Sequence, residues 1–403
     1  MSPATPRDSP APPGTGPRLA WGRLPLLVLG FAALAVGTAA GLARLAWPMP
    51  PLAAGAAAWH GPLMVCGFFG VVISLERAVA IASAVLPSAA GAAAGVARGA
   101  MVGRRWAYAA PVAAALGTVA LMHGADAAAP WLYLAASAGL LAASLHVLAR
   151  QRTAFNLVIT LGAAGWSVGT GLWATGTPVP DLVGWWLAFL VLTIAGERLE
   201  LSRFMPPSAA ARRLFGAIVA ALLAALVTLA ATRAAAAGQA FGLALAALAA
   251  WLLANDIARR TVRQRGLTRY IAACLLTGYG WLAAGGLVIG GAGLGAGGPA
   301  YDAALHALLL GFVFAMVFGH APIIFPAVLR VRLPYHAAFY TPLALLHASV
   351  ALRLAGDALL ALGREGGAAS GLVRWGALLS ALALLAFVAT MAQAAWRGRR
   401  AAS

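Results

Sequence analysis

The chain has no lysine, ten acidic residues and two cysteines among 403 residues. Charged side chains make up 9% of it, against about a quarter in a soluble globular domain. One or two soluble domains are therefore excluded by composition. Cys66 and Cys274 both lie inside apolar runs, so a disulfide framework has no support and both read as small core residues. Soluble-enzyme motifs are missing as well: there is no GxxxxGK[ST], no HExxH and no CxxC, which leaves ATP-driven transport by this chain alone without support.

What is present is apolar. Hydrophobic residues are 62% of the chain and the mean hydropathy is +0.87, enough for roughly a dozen bilayer spans of about 20 residues each. All 28 cations are arginine, and the net charge is +18. In a soluble protein that excess would suggest nucleic acid. Here the arginines form short clusters between apolar runs, which is the positive-inside pattern of a membrane protein and implies a lipid bilayer, with no nucleic-acid partner.

Residues 1–20, rich in Pro, Ser and Gly, read as a disordered tail. Arg18 and Arg23 then precede a run longer than a signal peptide needs, so a retained first helix with a cytoplasmic amino end is expected. Apolar segments follow at 21–46, 56–81, 105–122, 130–149, 154–175, 181–201, 212–232, 237–257, 268–290, 302–321, 338–357 and 371–395. This predicts an all-α polytopic membrane protein: one domain of 12 transmembrane helices over 21–395, with both termini cytoplasmic. With that count only Arg44, Arg233, Arg353, Arg364 and Arg374 fall on the outer side, and the remaining 23 of the 28 arginines fall inside. One missed helix would invert every later loop. The Ala/Gly-rich stretch within 82–104 reads as a cytoplasmic insertion, 396–403 as a basic tail, and the glycines of about 290–302 as a flexible outer loop.

Ionisable residues inside apolar segments are candidates for function, because a bilayer makes them costly. His60 and His306 lie near the outer ends of the second and tenth segments, at matched depth. Two such imidazoles could clasp a metal or a haem from opposite sides, or each could simply hydrogen-bond to a neighbouring helix. His60, Met64, Gly67 and Val71 share one helical face, as do His306, Leu310, Val313 and Val317. Gly67 and Gly311 would leave room for a flat macrocycle on those faces. His320 lies 14 residues beyond His306, about 21 Å down the helix and on nearly the same face. With His347, and near His336 in the following loop, it could build an inner copper or iron site; alternatively it satisfies the last carbonyls of its own helix. Glu76–Arg77 and Glu197–Arg198 end the second and sixth segments. Each glutamate is 16 residues past an outer polar residue, His60 and Asp181, a spacing that suggests an internal repeat. These glutamates could open a proton route from the cytoplasm, or pair with arginines and anchor helix ends.

The phrase WHGPLMVCGFFG, containing His60, resembles the W-H-x-x-x-M-x-x-G-F signature of the NnrS family. ALHALLLGFVFAMVFGHAP is similar to that family's LHAL-type helix with its GH turn, and GERLELSRFMPPS stands where the family has a G-R-x-x-P-F-like segment. The resemblance implies a haem- and copper-containing protein of the bacterial inner membrane, engaged in nitric oxide response or denitrification. It also implies a helix arrangement like the catalytic subunit of haem-copper oxidases. Carried over, His60 and His306 would be the axial ligands of haem b, and His320 the family's GH histidine. An electron-donor protein and a small gaseous or nitrogen-oxide ligand would be partners. The chain departs from the family at Gly61-Pro62, where HxHE is usual, and at Ala321-Pro322, where the family has GHTGR. The sixth segment carries Trp185 and Trp186 but no histidine, so an oxidase-type copper site lacks that ligand. The competing classes are a cofactor-free transporter or permease, with a midplane site near interrupted helices, and a structural membrane subunit.

Overall fold

The computed structural model describes residues 21–83, 105–202, 205–295, 297–364 and 366–400. The readings of 1–20 as a tail and of 84–104 as an insertion fall outside these residues. Among the described residues there is no strand. Twelve long helices appear in chain order: α1 (Leu24–Arg44), α2 (Ala57–Ser83), α3 (Ala109–Met122), α4 (Ala129–Arg150), α5 (Ala154–Ala174), α6 (Val179–Leu201), α7 (Ala209–Thr232), α8 (Ala235–Asn255), α9 (Gly266–Ala292), α10 (Pro299–Leu329), α11 (Ala337–Ala361) and α12 (Gly367–Arg400).

Eleven of them are long and apolar enough to cross a membrane. The exception is α3, whose regular part has 14 residues, about 21 Å at 1.5 Å per residue and short of a hydrocarbon core of about 30 Å. A single 3-10 turn, Arg105–Tyr108, extends it. The twelve segments of the sequence are thus twelve rods, of which eleven are full-length spans. The last, α12, continues to Arg400, into the stretch read as a basic tail. The glycine-rich connection before α10 is shorter than expected, because α9 runs to Ala292. Gly293 and Gly298 there take φ of +78° and +87°, which side-chain-bearing residues rarely adopt.

Consecutive helices pack side by side, and α12 returns to α1. Three helices are set apart by burial. In α2 and α6, 72% of the most apolar stretch is buried, and in α10 67%, against 33–56% in the other spans. They are spaced four helices apart, the arrangement that three four-helix repeats would give. They meet through stacked rings. Phe68 of α2 lies parallel to Phe314 of α10, with centroids 5.7 Å apart. Trp166 of α5 stacks on Phe189 of α6 at 4.9 Å and donates its indole N–H to Cys66 Sγ at 3.3 Å. Both cysteines are buried and unbridged. The peripheral helices leave Leu116, Leu214, Val227, Leu243, Leu287 and Leu385 exposed, an apolar girdle that suits contact with lipid.

The two histidine-bearing helices share an irregularity. In α2, Leu63–Phe69 is π-helical, directly after His60–Pro62. In α10, Ala307–Phe314 is π-helical, directly after His306. Pro62 has no N–H to donate, which loosens the helical ladder where the α2 segment begins. In α10 Gly311 lies within the widened turn, and a Cβ there would strike Trp281. π-Segments are strained and concentrate at functional sites.

Candidate functional site

His60 and His306 lie at the same end of the bundle, each within the electrostatic field of the other, of Asp302 and of Arg353. His60 Nδ1 is 2.7 Å from the main-chain oxygen of Gly37 in α1. His306 Nδ1 is 2.8 Å from the main-chain oxygen of Asp302, one turn back in α10. A carbonyl can only accept, so both Nδ1 atoms carry the proton. In the neutral rings Nε2 is then the lone-pair nitrogen, and neither Nε2 has a hydrogen-bond partner among the described residues. This is the tautomer and orientation that a metal-binding imidazole requires.

The α2 face expected to meet a macrocycle meets α1 instead. A Cβ on Gly41 would lie 2.8 Å from Nδ1 and Cε1 of His60; one on Gly37 would lie 3.0 Å from Met64 Sδ; one on Gly30 would lie 3.3 Å from Val71 Cγ1. The glycine stripe of α1 therefore seats His60, Met64 and Val71 in turn. The room expected at Gly67 is filled by Ala33 and Thr118, and that at Gly311 by Trp281. A missing Cβ admits whichever bulky neighbour the packing brings, and here the neighbours are protein. Among the described residues the Nε2 atom of each ring forms no hydrogen bond. Gly41→Ala should press on the His60 ring and lengthen its bond to Gly37, lowering stability by about 1–3 kcal/mol; thermal unfolding in detergent measures this.

Behind His306 stands an ionic cluster. Arg353 of α11 donates from Nε (2.9 Å) and from a terminal nitrogen (2.7 Å) to Asp302 Oδ2. Asp302 Oδ1 lies 3.5 Å from His306 Nδ1. Asp357, one turn beyond Arg353, is 3% exposed and approaches the Asp302 carboxyl. Its Oδ2 is buried without a hydrogen-bond partner.

At the opposite end, the sequence-derived residues converge in part. Glu76 and Glu197 come within electrostatic range of each other and of Arg77 and Arg198. Neither glutamate forms an ion pair with another described residue. Arg198 is committed elsewhere: its Nε and a terminal nitrogen hold Asp256 at 2.8 and 3.0 Å, and Tyr279 donates to Asp256 Oδ2 at 2.5 Å. His320 lies in the field of Arg198 and Asp256, and its Nδ1 bonds the Met316 carbonyl at 2.7 Å; this is not the helix-end role weighed from the sequence, because the helix continues through Pro322 and Pro326 to Leu329. His347 does not complete an inner metal site. Its Nδ1 accepts from Trp281 at 2.9 Å, so its Nε2 carries the proton and donates to Thr277 at 2.8 Å, leaving no free lone pair. His336 is occupied too, its Nδ1 accepting the Ala338 N–H at 3.1 Å. No group of three or more His, Cys, Asp or Glu side chains gathers at one point among the described residues.

Residues 23–396 match the model of a family described as a domain of unknown function, DUF8744. The chain belongs to that family. No curated protein matches it in sequence. The family match takes in His60, His306, Glu76, Glu197 and every partner named above, so both polar clusters of this DUF8744 chain are parts of one family unit. Asp302, Arg353, Asp357 and Asp256 escape a reading centred on histidines and glutamates. The rule that flags charges in apolar segments applies equally to Asp302, four residues before His306, and to Arg353 and Asp357, four apart on one helical face.

Proposed function

We propose that this chain is a multi-pass protein of the bacterial inner membrane that holds haem b between α2 and α10, with His60 and His306 as axial ligands through Nε2. One observation carries the reading. On two inner helices, at matched positions beside matched π-segments, a main-chain carbonyl takes each Nδ1 proton and leaves a lone-pair Nε2 without a hydrogen-bond partner among the described residues. Haem held there would supply one-electron exchange at its iron. The protein's own part is to fix both tautomers and to press the His60 ring against α1.

With two imidazoles committed, a gaseous nitrogen-oxide ligand binds only by displacing one of them, so electron exchange with a donor protein is the favoured task. The setting in nitric oxide response or respiratory nitrogen-oxide metabolism rests on the NnrS resemblance alone. Both termini are cytoplasmic in this reading, as the arginine bias requires. Glu76 and Glu197, two carboxyls without ion-pair partners among the described residues, would then face the cytoplasm and admit protons. His347, with both nitrogens engaged, is not a copper ligand in this reading.

Absorption spectroscopy of the protein, purified from cells supplied with 5-aminolevulinate, tests the reading. A Soret band is expected, and His60→Ala and His306→Ala should each diminish it. A colourless wild-type protein sinks the proposal. The second reading, a cofactor-free carrier, is favoured by the matched helix irregularities and the buried charges on α10 and α11; it predicts no band and solute movement in proteoliposomes.

A further inference from the structure

We propose that one anionic phospholipid of the cytoplasmic leaflet occupies the groove between α5, α6 and α7, with its headgroup on Arg152 and Arg212 and an acyl chain along α7. This rests on the multi-pass membrane reading and is independent of haem. The helix α7 packs on α8 and touches α6 only lightly, so a groove of about 480 Å³ opens on the flank of the bundle. Leu157 and Leu161 of α5, Leu199 of α6 and Gly216 and Leu223 of α7 line it. Along α7 it runs from Arg212 to Leu223, about 16 Å at 1.5 Å per residue, or half of a hydrocarbon core of about 30 Å. The groove is therefore one leaflet deep, which suits a lipid chain and is too short for a partner helix that crosses the bilayer.

One end of the groove is polar and of a single sign. Arg212 donates from Nη1 to the Pro207 carbonyl at 2.7 Å, which holds its guanidinium at the mouth and leaves the other donors free among the described residues. Arg152 lines a second hollow, against Leu145 and Leu148 of α4, that shares Ala154 and Leu157 with the first. The two exposed arginines thus flank the first turn of α5. Both α5 and α7 begin at this rim, so the positive dipole ends of helices of 21 and 24 residues point to it. No acidic side chain among the described residues lines either hollow. A guanidinium grips a phosphate through two parallel N–H bonds. The arginine bias puts this rim on the cytoplasmic side, and basic pockets between helices on that side suit anionic headgroups.

Native mass spectrometry of the purified full chain tests this, after detergent exchange and titration with dioleoyl phosphatidylglycerol or dioleoyl phosphatidylcholine. One phosphatidylglycerol should bind about tenfold more tightly than phosphatidylcholine. Arg152→Gln and Arg212→Gln should each weaken phosphatidylglycerol about fivefold, the worth of one cation beside an anionic lipid, and leave phosphatidylcholine unchanged. Arg263→Gln, exposed but outside both hollows, should alter neither. At Gly216 a Cβ meets nothing within 4 Å, so Gly216→Leu should fill the groove and abolish the tight site. Equal affinity for the two lipids, or equal losses at Arg152, Arg212 and Arg263, would reduce the attraction to bulk charge and overturn the site. A dimer that Gly216→Leu dissociates would put a second copy of the chain in the groove, and overturns it too. Should Gly216→Leu fail to fold, the arginine variants decide by the same comparison. A missing Soret band counts against the haem reading and leaves this one standing.

Discussion

Asparagine in place of Asp256 is expected to lower the stability of the protein by about 3–5 kcal/mol, the usual cost of stranding one member of a buried ion pair. The side chains of Arg198 and Asp256 are 4% and 1% exposed. Two guanidinium nitrogens, the Tyr279 hydroxyl and the Ala258 N–H all converge on the Asp256 carboxylate. Asparagine keeps the shape but leaves the guanidinium charge buried and uncompensated. Thermal unfolding in detergent reads the drop, and Glu197→Gln, at a carboxyl with no ion-pair partner among the described residues, should cost much less. The same pair confers a pH dependence. Burial pushes the Asp256 carboxyl up, but the bonds and charge of Arg198, with Tyr279 and Ala258, outweigh it and hold the group below the usual carboxylate range. A lowered native pKa stabilises fully above the unfolded value of about 3.9, and that contribution is lost as pH falls through the native value. Wild type should therefore lose stability more steeply than Asp256→Asn below about pH 4. Parallel acid curves for the two proteins would remove Asp256 from that role.

Gly242→Ala is expected to be as damaging by a different route. Gly242 of α8 faces Gly286 and Gly290 of α9, a small-xxx-small pair that lets the backbones touch, and Gly238 backs on Gly293 and Leu294 just beyond α9. A Cβ on Gly242 would run into the Gly290 nitrogen, and would come within 2.6 Å of the Gly286 oxygen and 2.7 Å of the Ile289 carbonyl carbon. Main-chain atoms cannot rotate aside, so the helices must separate, at a cost at or beyond the upper end of the overpacking range of about 1–3 kcal/mol. Gly290→Ala should be milder, because the nearest obstacle is the Leu243 side chain at 2.9 Å, which can change rotamer. Gly280→Ala, on the exposed side of α9 with nothing within 4 Å, should stabilise by roughly 0.5–1 kcal/mol through helix propensity. Unfolding of the three variants side by side checks the order. Equal gains in all three would mean that helix propensity, and not the α8–α9 approach, governs these glycines.

The helical rods and most of their limits were legible in the sequence, because apolar length is a local property and each rod satisfies its own backbone. Only α3 fell short: an apolar run can be counted along the chain, but where the regular turns begin depends on neighbours. That His60 and His306 stand at one end of the bundle was legible too, since rise per residue converts position into distance along a helix. The partners of those histidines were not. That the His60 face packs on Gly30, Gly37 and Gly41, that Trp281 fills Gly311, and that Trp281 and Thr277 consume His347 depend on which helices lie side by side, and hydropathy carries no such information. Arg198 shows the limit most plainly. Its sequence neighbour Glu197 looked like its partner, yet it bonds Asp256, 58 residues away, because successive residues on a helix point about 100° apart.

The sequence by itself determined the apolar, all-helical class and the position of each ionisable group along its helix, which follow from composition and a fixed rise per residue. The tertiary structure alone decided which groups meet: His60 with α1, Asp302 with Arg353, Arg198 with Asp256. The reason is physical. Between apolar helices in lipid nothing hydrophobic selects a partner, so close backbone approach at glycines and a few directional polar bonds make the choice, and both act across space rather than along the chain.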